Sequence, residues 1–446
     1  MRTTPPIRLL LVLVMALLIS ACSGAEEAEV AEDSPATEFA TDDTGDTGDT
    51  GDTEDGASSP ASGEPYRIGW LTDASSVTRG TYFPEFEGAR LFVERLNQAG
   101  GVNGRPIELE MRDMQIDQEL AVTLSTELVD SGVLMLAGGT IEGRMPSVFE
   151  VVRQAGVPFL TGHSARPDMF PSEPDPLLFT VGNVFEAMSD ARVELWPLVF
   201  GDEFPDGGTV SCYIHEGPAA FAVCERWLEA LEEGSNWTAG SVINAPLQTS
   251  DFSSFVQPLV DENPDAFFDI SIASHAIGVA VAARNSGYAG PIAFSMTATP
   301  ETDIDTVVEQ VGPDNIWALS NITSIDETDV PEIQEIRSAA EEFGTEIDPN
   351  SATVNGWLMG MIIADSLERC GADCDPAGLR DAIEALDLDT RGLTGGPLQY
   401  SETDHVGPRY WTGYRLNPDT GELERAIDNW VDFDAATDLL SPLATD

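Results

Sequence analysis

From residue 66 onward, short apolar runs alternate with stretches whose apolar residues recur every three or four positions. Tyr66-Arg67-Ile68-Gly69-Trp70-Leu71 has the pattern of a buried strand. Over 86–98, Ala89, Phe92, Val93 and Leu96 fall at i, i+3, i+4 and i+7, so one helical face is apolar. Gly100-Gly101 ends that helix. The same reading gives strands at 106–111, 133–137 and 157–161, with helices at 118–130 and 145–154. The rhythm restarts with strands at 209–214, 242–245, 266–271 and 291–295, and helices at 219–232, 252–262 and 276–286. Helices at 331–343, 353–369 and 376–385 follow. Two strands, 396–400 and 410–417, are joined by a loop, and Asn417-Pro418-Asp419-Thr420-Gly421 makes a turn. Strand, helix, strand at this spacing means parallel βαβ units, and two such sets mean two α/β lobes of similar design.

Before residue 66 the pattern is different. Arg2 and Arg8 precede an apolar run at 9–19, shorter than the roughly 20 residues a membrane span needs. This reads as the core of a signal peptide covering 1–21. Ile19-Ser20-Ala21-Cys22 resembles the bacterial lipobox, which implies a lipid on Cys22 and a place on the outer face of the cytoplasmic membrane. Residues 23–65 hold 14 acidic residues, no basic one and a Thr-Gly-Asp repeat. Too little apolar surface is present to offset ordering entropy, so 22–65 is expected to be a disordered tether, about 35 Å from end to end.

Three blocks resemble the opening of the solute-binding proteins of branched-chain amino-acid-type ABC transporters. They are Ile68-Gly69-Trp70-Leu71, Phe86-Glu87-Gly88-Ala89-Arg90 and Leu96-Asn97-Gln98-Ala99-Gly100-Gly101-Val102-Asn103-Gly104-Arg105-Pro106-Ile107. Asp113, Gly138-Gly139, Gly156-Val157-Pro158-Phe159 and Gly396-Pro397-Leu398-Gln399-Tyr400 fit the same pattern, over about residues 66–420. The resemblance implies a type I periplasmic-binding fold: two Rossmann-like lobes, each a parallel sheet flanked by helices, joined by a three-strand hinge with a ligand cleft between them. Lobe 1 would be 66–182 plus 322–398, and lobe 2 would be 183–321 plus 399–446.

Ligands in such sheets bind beyond the carboxyl ends of the strands. That puts Asp73, Ser75 and Ser76, with Tyr82 just beyond, at the cleft. The loops that match the family's binding loops add Thr140, Ile141, Glu142, His163 and Ser164 from lobe 1. Lobe 2 would add Glu216, His275 and Thr297. Glu142, Ala165 and Thr297 depart from the residues that amino-acid binders carry at these places. Glu142 would suit a cation or a hydroxyl-bearing solute, and His163 or Arg166 an anion. Against this, Arg166 reads equally as a surface ion-pair partner, Glu142 as a helix-start charge and His275 as a packing residue.

Composition narrows the function further. The chain has 78 acidic residues against 21 arginines and no lysine, a formal charge of −57. Nucleic acid is excluded as a partner, since it needs basic surface to replace counterions. Outside the tether and signal segment, 64 acidic residues face 19 arginines, so the folded surface is itself acidic. This suits a salt-rich medium or a high-GC bacterium, because salt screens self-repulsion. The four histidines, His163, His215, His275 and His405, show no metal-ligand spacing. Gly162-His163-Ser164-Ala165-Arg166 is no nucleophile elbow. No enzyme activity, cofactor or metal is expected. Beyond Cys22, Cys370 and Cys374 bracket a short loop, and Cys212 and Cys224 lie on a strand and the next helix, so two disulfides are expected. Tyr410 and Tyr414 share one face of a strand and Trp411 takes the other. The chain is read as a monomeric, lipid-anchored receptor that delivers a small polar solute, an amino acid or a related compound, to a permease with its ATPase. The alternative is a ligand sensor of the same fold acting with a signalling receptor.

Overall fold

The computed structural model describes residues 60–140, 144–162, 173–181, 185–216, 220–295 and 300–432. Cys22 and the acidic segment up to residue 59 lie outside them. The chain begins with β1 (Tyr66–Thr72), α1 (Arg79–Gln98), β2 (Ile107–Asp113), α2 (Gln118–Asp130), β3 (Met135–Gly138), α3 (Met145–Ala155), β4 (Phe159–Thr161) and β5 (Leu178–Thr180). The second set is α4 (Phe185–Phe200), β6 (Thr209–His215), α5 (Ala220–Gly234), β7 (Thr238–Ala245), α6 (Gln257–Glu262), β8 (Ala266–Asp269), α7 (Ala273–Asn285) and β9 (Ile292–Ser295). A one-turn α8 (Ile304–Thr306) and β10 (Ile316–Ser320) complete it. Then come α9 (Pro331–Phe343), α10 (Ser351–Cys370), α11 (Pro376–Glu384), β11 (Asp387–Leu388), β12 (Leu398–Gln399), β13 (Tyr410–Leu416), β14 (Leu423–Arg425) and β15 (Val431–Asp432).

Two sheets carry two lobes. The first runs β2-β1-β3-β4-β5, with every pair parallel. The second runs β7-β6-β8-β9-β10 in parallel, then adds β13 and β14 antiparallel. Each sheet is covered on both faces, as a parallel sheet requires. In lobe 1, Trp70, Ala89, Val93, Ile336, Trp357 and Ile362 form one core, while Leu71, Leu128, Val148 and Phe149 form the other. In lobe 2, Tyr414 packs on one face with Val279 and Phe294, and Trp411 on the other with Trp196 and Trp227. Helices α9 to α11 return to the first core after the second sheet is built.

The structure corrects several element boundaries. Helix α1 starts seven residues before the predicted start, at Arg79, because Tyr82, Phe83 and Glu85 are buried there. Gly80 and Pro84 had the local character of a loop; packing overrides it. β5, α4 and β10 were not expected from the pattern, and β5 and β10 are short runs buried along their whole length. The two late strands do not pair with each other. β12 pairs with β11, whereas β13 joins the second sheet. The disulfides Cys212–Cys224 and Cys370–Cys374 are both formed, with Cα atoms 5.7 and 5.2 Å apart.

Helices α1 and α10 approach so closely that glycine is required at their crossing. A β-carbon on Gly88 would overlap the carbonyl oxygen of Thr353, and one on Gly356 the carbonyl oxygen of Glu85. Gly360 similarly makes room for the Phe92 ring. In both cases backbone is the obstacle, so relief means separating the helices. Gly88→Ala and Gly356→Ala should each lower stability by about 1–3 kcal/mol or more, read as an earlier thermal unfolding midpoint. Unchanged midpoints would contradict the close crossing.

Candidate functional site

The carboxyl ends of β1, β2 and β3 are drawn together by one buried carboxylate. Asp73, directly after β1, has no exposed surface. Its Oδ1 accepts the Ile116 N–H at 2.8 Å, and its Oδ2 accepts the hydroxyls of Thr78, at 2.8 Å, and Thr140. Burial raises the Asp73 pKa, against the opposing pull of these three hydrogen bonds, and neighbouring Asp113 adds to the rise. Asp113 in turn accepts Ala74 N–H at 2.9 Å, Gln115 N–H at 3.2 Å and the Ser75 hydroxyl. Two carboxylates thus hold the loops after β1 and β2.

The loop after β2 needs that hold. Gln115 and Ile116 have φ of 54° and 57°. A β-branched residue in the left-handed region is an outlier that costs on the order of 1–3 kcal/mol. The Ile116 amide is fixed by Asp73, and its carbonyl accepts from Arg144 Nε at 3.2 Å. The strained peptide therefore also positions the guanidinium at the start of α3.

These residues face a cavity of about 500 Å³ between the lobes. Ser75, Ser76, Val77, Gln115, Ile116 and Arg144 line it from lobe 1, and Leu247 and Gln248, after β7, from lobe 2. Beside it the lobes touch. The Thr81 hydroxyl of α1 accepts the Ala273 N–H of α7 at 3.0 Å, and Ser274 Oγ donates to the Val77 carbonyl at 2.9 Å. Ile272, the residue before α7, offers no side-chain cap, so a lobe 1 hydroxyl satisfies an amide at a lobe 2 helix start. Glu301 makes the reciprocal contact, accepting Ser351 Oγ at 2.8 Å at the start of α10.

The expected site residues separate into groups. Ser75 and Ser76 line the cavity. Asp73 and Thr140 lie behind it, buried and bonded to each other. His275 is buried, with its ring nitrogens on Tyr213 Oη at 2.8 Å and the Leu247 carbonyl at 3.0 Å. Tyr82 is buried within α1, and Glu216 is exposed at the end of β6. Ile141, Glu142, His163, Ser164 and Thr297 lie outside the described residues. Gln115, Ile116, Arg144, Leu247 and Gln248 were missed. Arg144 had a signal, as the first cation after the glycine loop following β3; the left-handed pair had none.

Under the lobe 2 wall, His215 lies 6.2 Å from His275, ring centre to ring centre. Burial, and then the neighbouring His275, bring the His215 pKa down to about 4. The fold therefore disfavours its protonation. This cost is absent well above the unfolded value of about 6.5, grows as pH falls below it and is complete below about 4. Buried Asp73 and Asp269 and half-buried Asp326 have raised pKa values and act in the opposite sense. The comparison with His215→Asn isolates the histidine: wild type should lose stability relative to the variant as pH goes from 7 to 4.5. A pH-independent difference in denaturant midpoint would contradict this.

Comparisons with known proteins agree with the geometry. A family model described as periplasmic binding protein matches residues 65–422. The leucine-, isoleucine-, valine-, threonine- and alanine-binding protein of Pseudomonas aeruginosa is 28% identical over 82 residues, which is 18% of this chain and only 22% of that relative. A fatty acid ABC transporter substrate-binding protein from Thermomonospora curvata superposes with a TM-score of 0.70 at 20% identity, covering 87% of this chain and 98% of that one. A branched-chain amino acid transporter substrate-binding protein from Streptococcus pneumoniae, in complex with isoleucine, gives 0.66 at 17%, covering 83% and 100%. A solute-binding protein from R. palustris, in complex with benzoate, gives 0.67 at 17%, covering 83% and 99%. Proteins of this family are solute-binding proteins, not enzymes. With two α/β lobes, a cavity lined from both and a family match over most of its length, this chain belongs to the periplasmic binding protein family.

Proposed function

We propose that the protein captures a small polar solute outside the cytoplasmic membrane and delivers it to the permease of an ABC importer. The observation that carries this is the cavity of about 500 Å³ to which both lobes contribute. A solute there touches both walls at once, so binding favours the closed arrangement over an open one. The moving bodies are read as 66–182 with 322–398, and 183–321 with 399–446. The solute is read as an amino acid or a related small acid, in keeping with the fatty acid, isoleucine and benzoate named for three structural neighbours. Ser75 and Ser76 are proposed as contacts, together with Ile141, Glu142, His163, Ser164, Glu216 and Thr297 on the remaining loops. ATP hydrolysis belongs to the importer's ATPase, and this chain works as a monomer. A lipid on Cys22 holds it at the membrane, and the tether of 22–65 lets it reach the permease. An extracytoplasmic site fits the two disulfides, which persist in oxidising compartments.

Thr81 tests closure without touching the cavity. Thr81→Val removes the acceptor for Ala273 N–H while keeping the side-chain volume. A net hydrogen bond is worth about 0.5–1.5 kcal/mol, so solute affinity should fall by about two- to tenfold. In small-angle scattering the variant should need proportionally more solute to reach the compact form. A panel of amino acids and small organic acids, screened by thermal shift, supplies the solute. If none of the panel stabilises or compacts the wild-type protein, the capture reading fails.

A further inference from the structure

We infer that His275 is a positioning residue of the solute site: from beneath the lobe 2 wall it fixes the Leu247–Gln248 peptide, so that the Gln248 N–H is offered to an acceptor oxygen of the solute. This deepens the proposed function and rests on it. After β7 the chain reverses over Pro246–Thr249, where the Thr249 N–H donates to the Pro246 carbonyl at 2.8 Å. Leu247 and Gln248 are the central residues of that turn, and both line the interlobe cavity. Turns of types I and II share the closing hydrogen bond and differ chiefly in which way the central peptide faces. The closing bond alone therefore does not set the direction of the Leu247 carbonyl and the Gln248 N–H.

His275 sets it. The ring is buried, with Nε2 3.0 Å from the Leu247 carbonyl and Nδ1 2.8 Å from Tyr213 Oη. A carbonyl oxygen only accepts, so Nε2 carries the proton. Burial lowers the His275 pKa and keeps the ring neutral; burial, and then nearby Asp269, raises the Tyr213 pKa and keeps its hydroxyl protonated. Nδ1 is then a lone pair that accepts the Tyr213 O–H. Hydrogen bonds run one way, from Tyr213 through His275 to Leu247, and they hold a single tautomer. The peptide after Leu247 is trans, so a carbonyl turned in toward His275 leaves the Gln248 N–H turned out. Gln248 is exposed, and no described residue accepts its N–H.

A second, independent observation comes from the same turn of α7. Ser274, next to His275, donates its hydroxyl to the carbonyl of Val77, which lines the cavity from lobe 1. One helical turn thus grips a wall residue of each lobe, Val77 through Ser274 and Leu247 through His275. The Ser274 contact crosses between the lobes. The His275 contacts, to Tyr213 and Leu247, stay within lobe 2 and preorganise its wall before the solute arrives.

The test is isothermal titration of the intact protein. The probe is the tightest-binding member of the thermal-shift panel, with isoleucine, benzoate and hexanoate included. Three variants separate the donor from the ring. His275→Gln places an amide N–H near the position of Nε2, within reach of the Leu247 carbonyl. His275→Asn is shorter and does not reach it, and His275→Leu has no donor. Affinity in His275→Gln should stay within about twofold of wild type, whereas His275→Asn and His275→Leu should weaken binding by about five- to tenfold, the loss of one hydrogen bond. Each variant is titrated below its unfolding midpoint, and if His275→Leu does not fold, the Gln and Asn pair carries the same comparison. A purely structural role would make affinity follow the unfolding midpoint and not the reach of the amide. His275→Asn or His275→Leu binding as tightly as His275→Gln overturns the inference while leaving solute capture intact. Binding of no panel member to wild type overturns the capture reading, and this inference with it.

Discussion

Asp73 is the constraint on which the rest of the candidate site depends. It has no exposed surface, and it joins the loops that follow β1, β2 and β3 through Thr78, Ile116 and Thr140. An isolated buried carboxylate would be costly, and these three donors offset that cost. The partner set also explains why the carboxylate sits here and not elsewhere. Two donors are hydroxyls, but the third is the amide of a left-handed isoleucine that would relax without it. Through the carbonyl of the same residue, the constraint reaches Arg144. The candidate site in lobe 1 is thus built from a hydrogen-bond chain rather than from the strands alone.

Helix α1 links this site to the contacts between the lobes. Its middle, from Glu85 to Gly88, is fixed to α10 at glycine contacts where neither backbone can give way. Its first turn carries Thr81, which caps α7 of the other lobe. Glu301 of lobe 2 answers at the start of α10. Each lobe therefore meets the start of a helix in the other: Thr81 accepts an amide of α7, which has no side-chain cap of its own, whereas Asn350 caps the α10 amides and Glu301 takes the Ser351 hydroxyl. Such contacts cost little when open, because water satisfies the same amide and hydroxyl. They are suited to a closure that must be reversible.

Much of the fold was legible in sequence because it rests on local rules. The block from Asn97 to Ile107 shows why. Asn97 exchanges two hydrogen bonds with the Ile107 backbone, at 2.8 and 2.9 Å. Gly101 takes φ 66°, and Asn103-Gly104, at 52° and 77°, make the tight turn between Val102 and Arg105. The most specific part of the family resemblance is therefore the joint between α1 and β2, a feature of the fold and not of the ligand. β5 and β10 escaped because short, wholly buried strands have no alternation to read. The site was less legible still. Asp73 was recognised as an important residue, but its neighbours lie 43 and 67 positions away, so its role as a tie is a tertiary fact. The left-handed pair at 115–116 carries no glycine to announce it.

The most direct test of the account is a crystal structure of the protein with the tightest-binding solute of the thermal-shift panel. The account requires the solute in the cavity lined by Ser75, Ser76 and Gln248, Ile116 still left-handed with its amide on Asp73, and the Thr81 to Ala273 contact in place. A solute bound away from that cavity, or a relaxed Ile116 with Asp73 turned to the ligand, would contradict it.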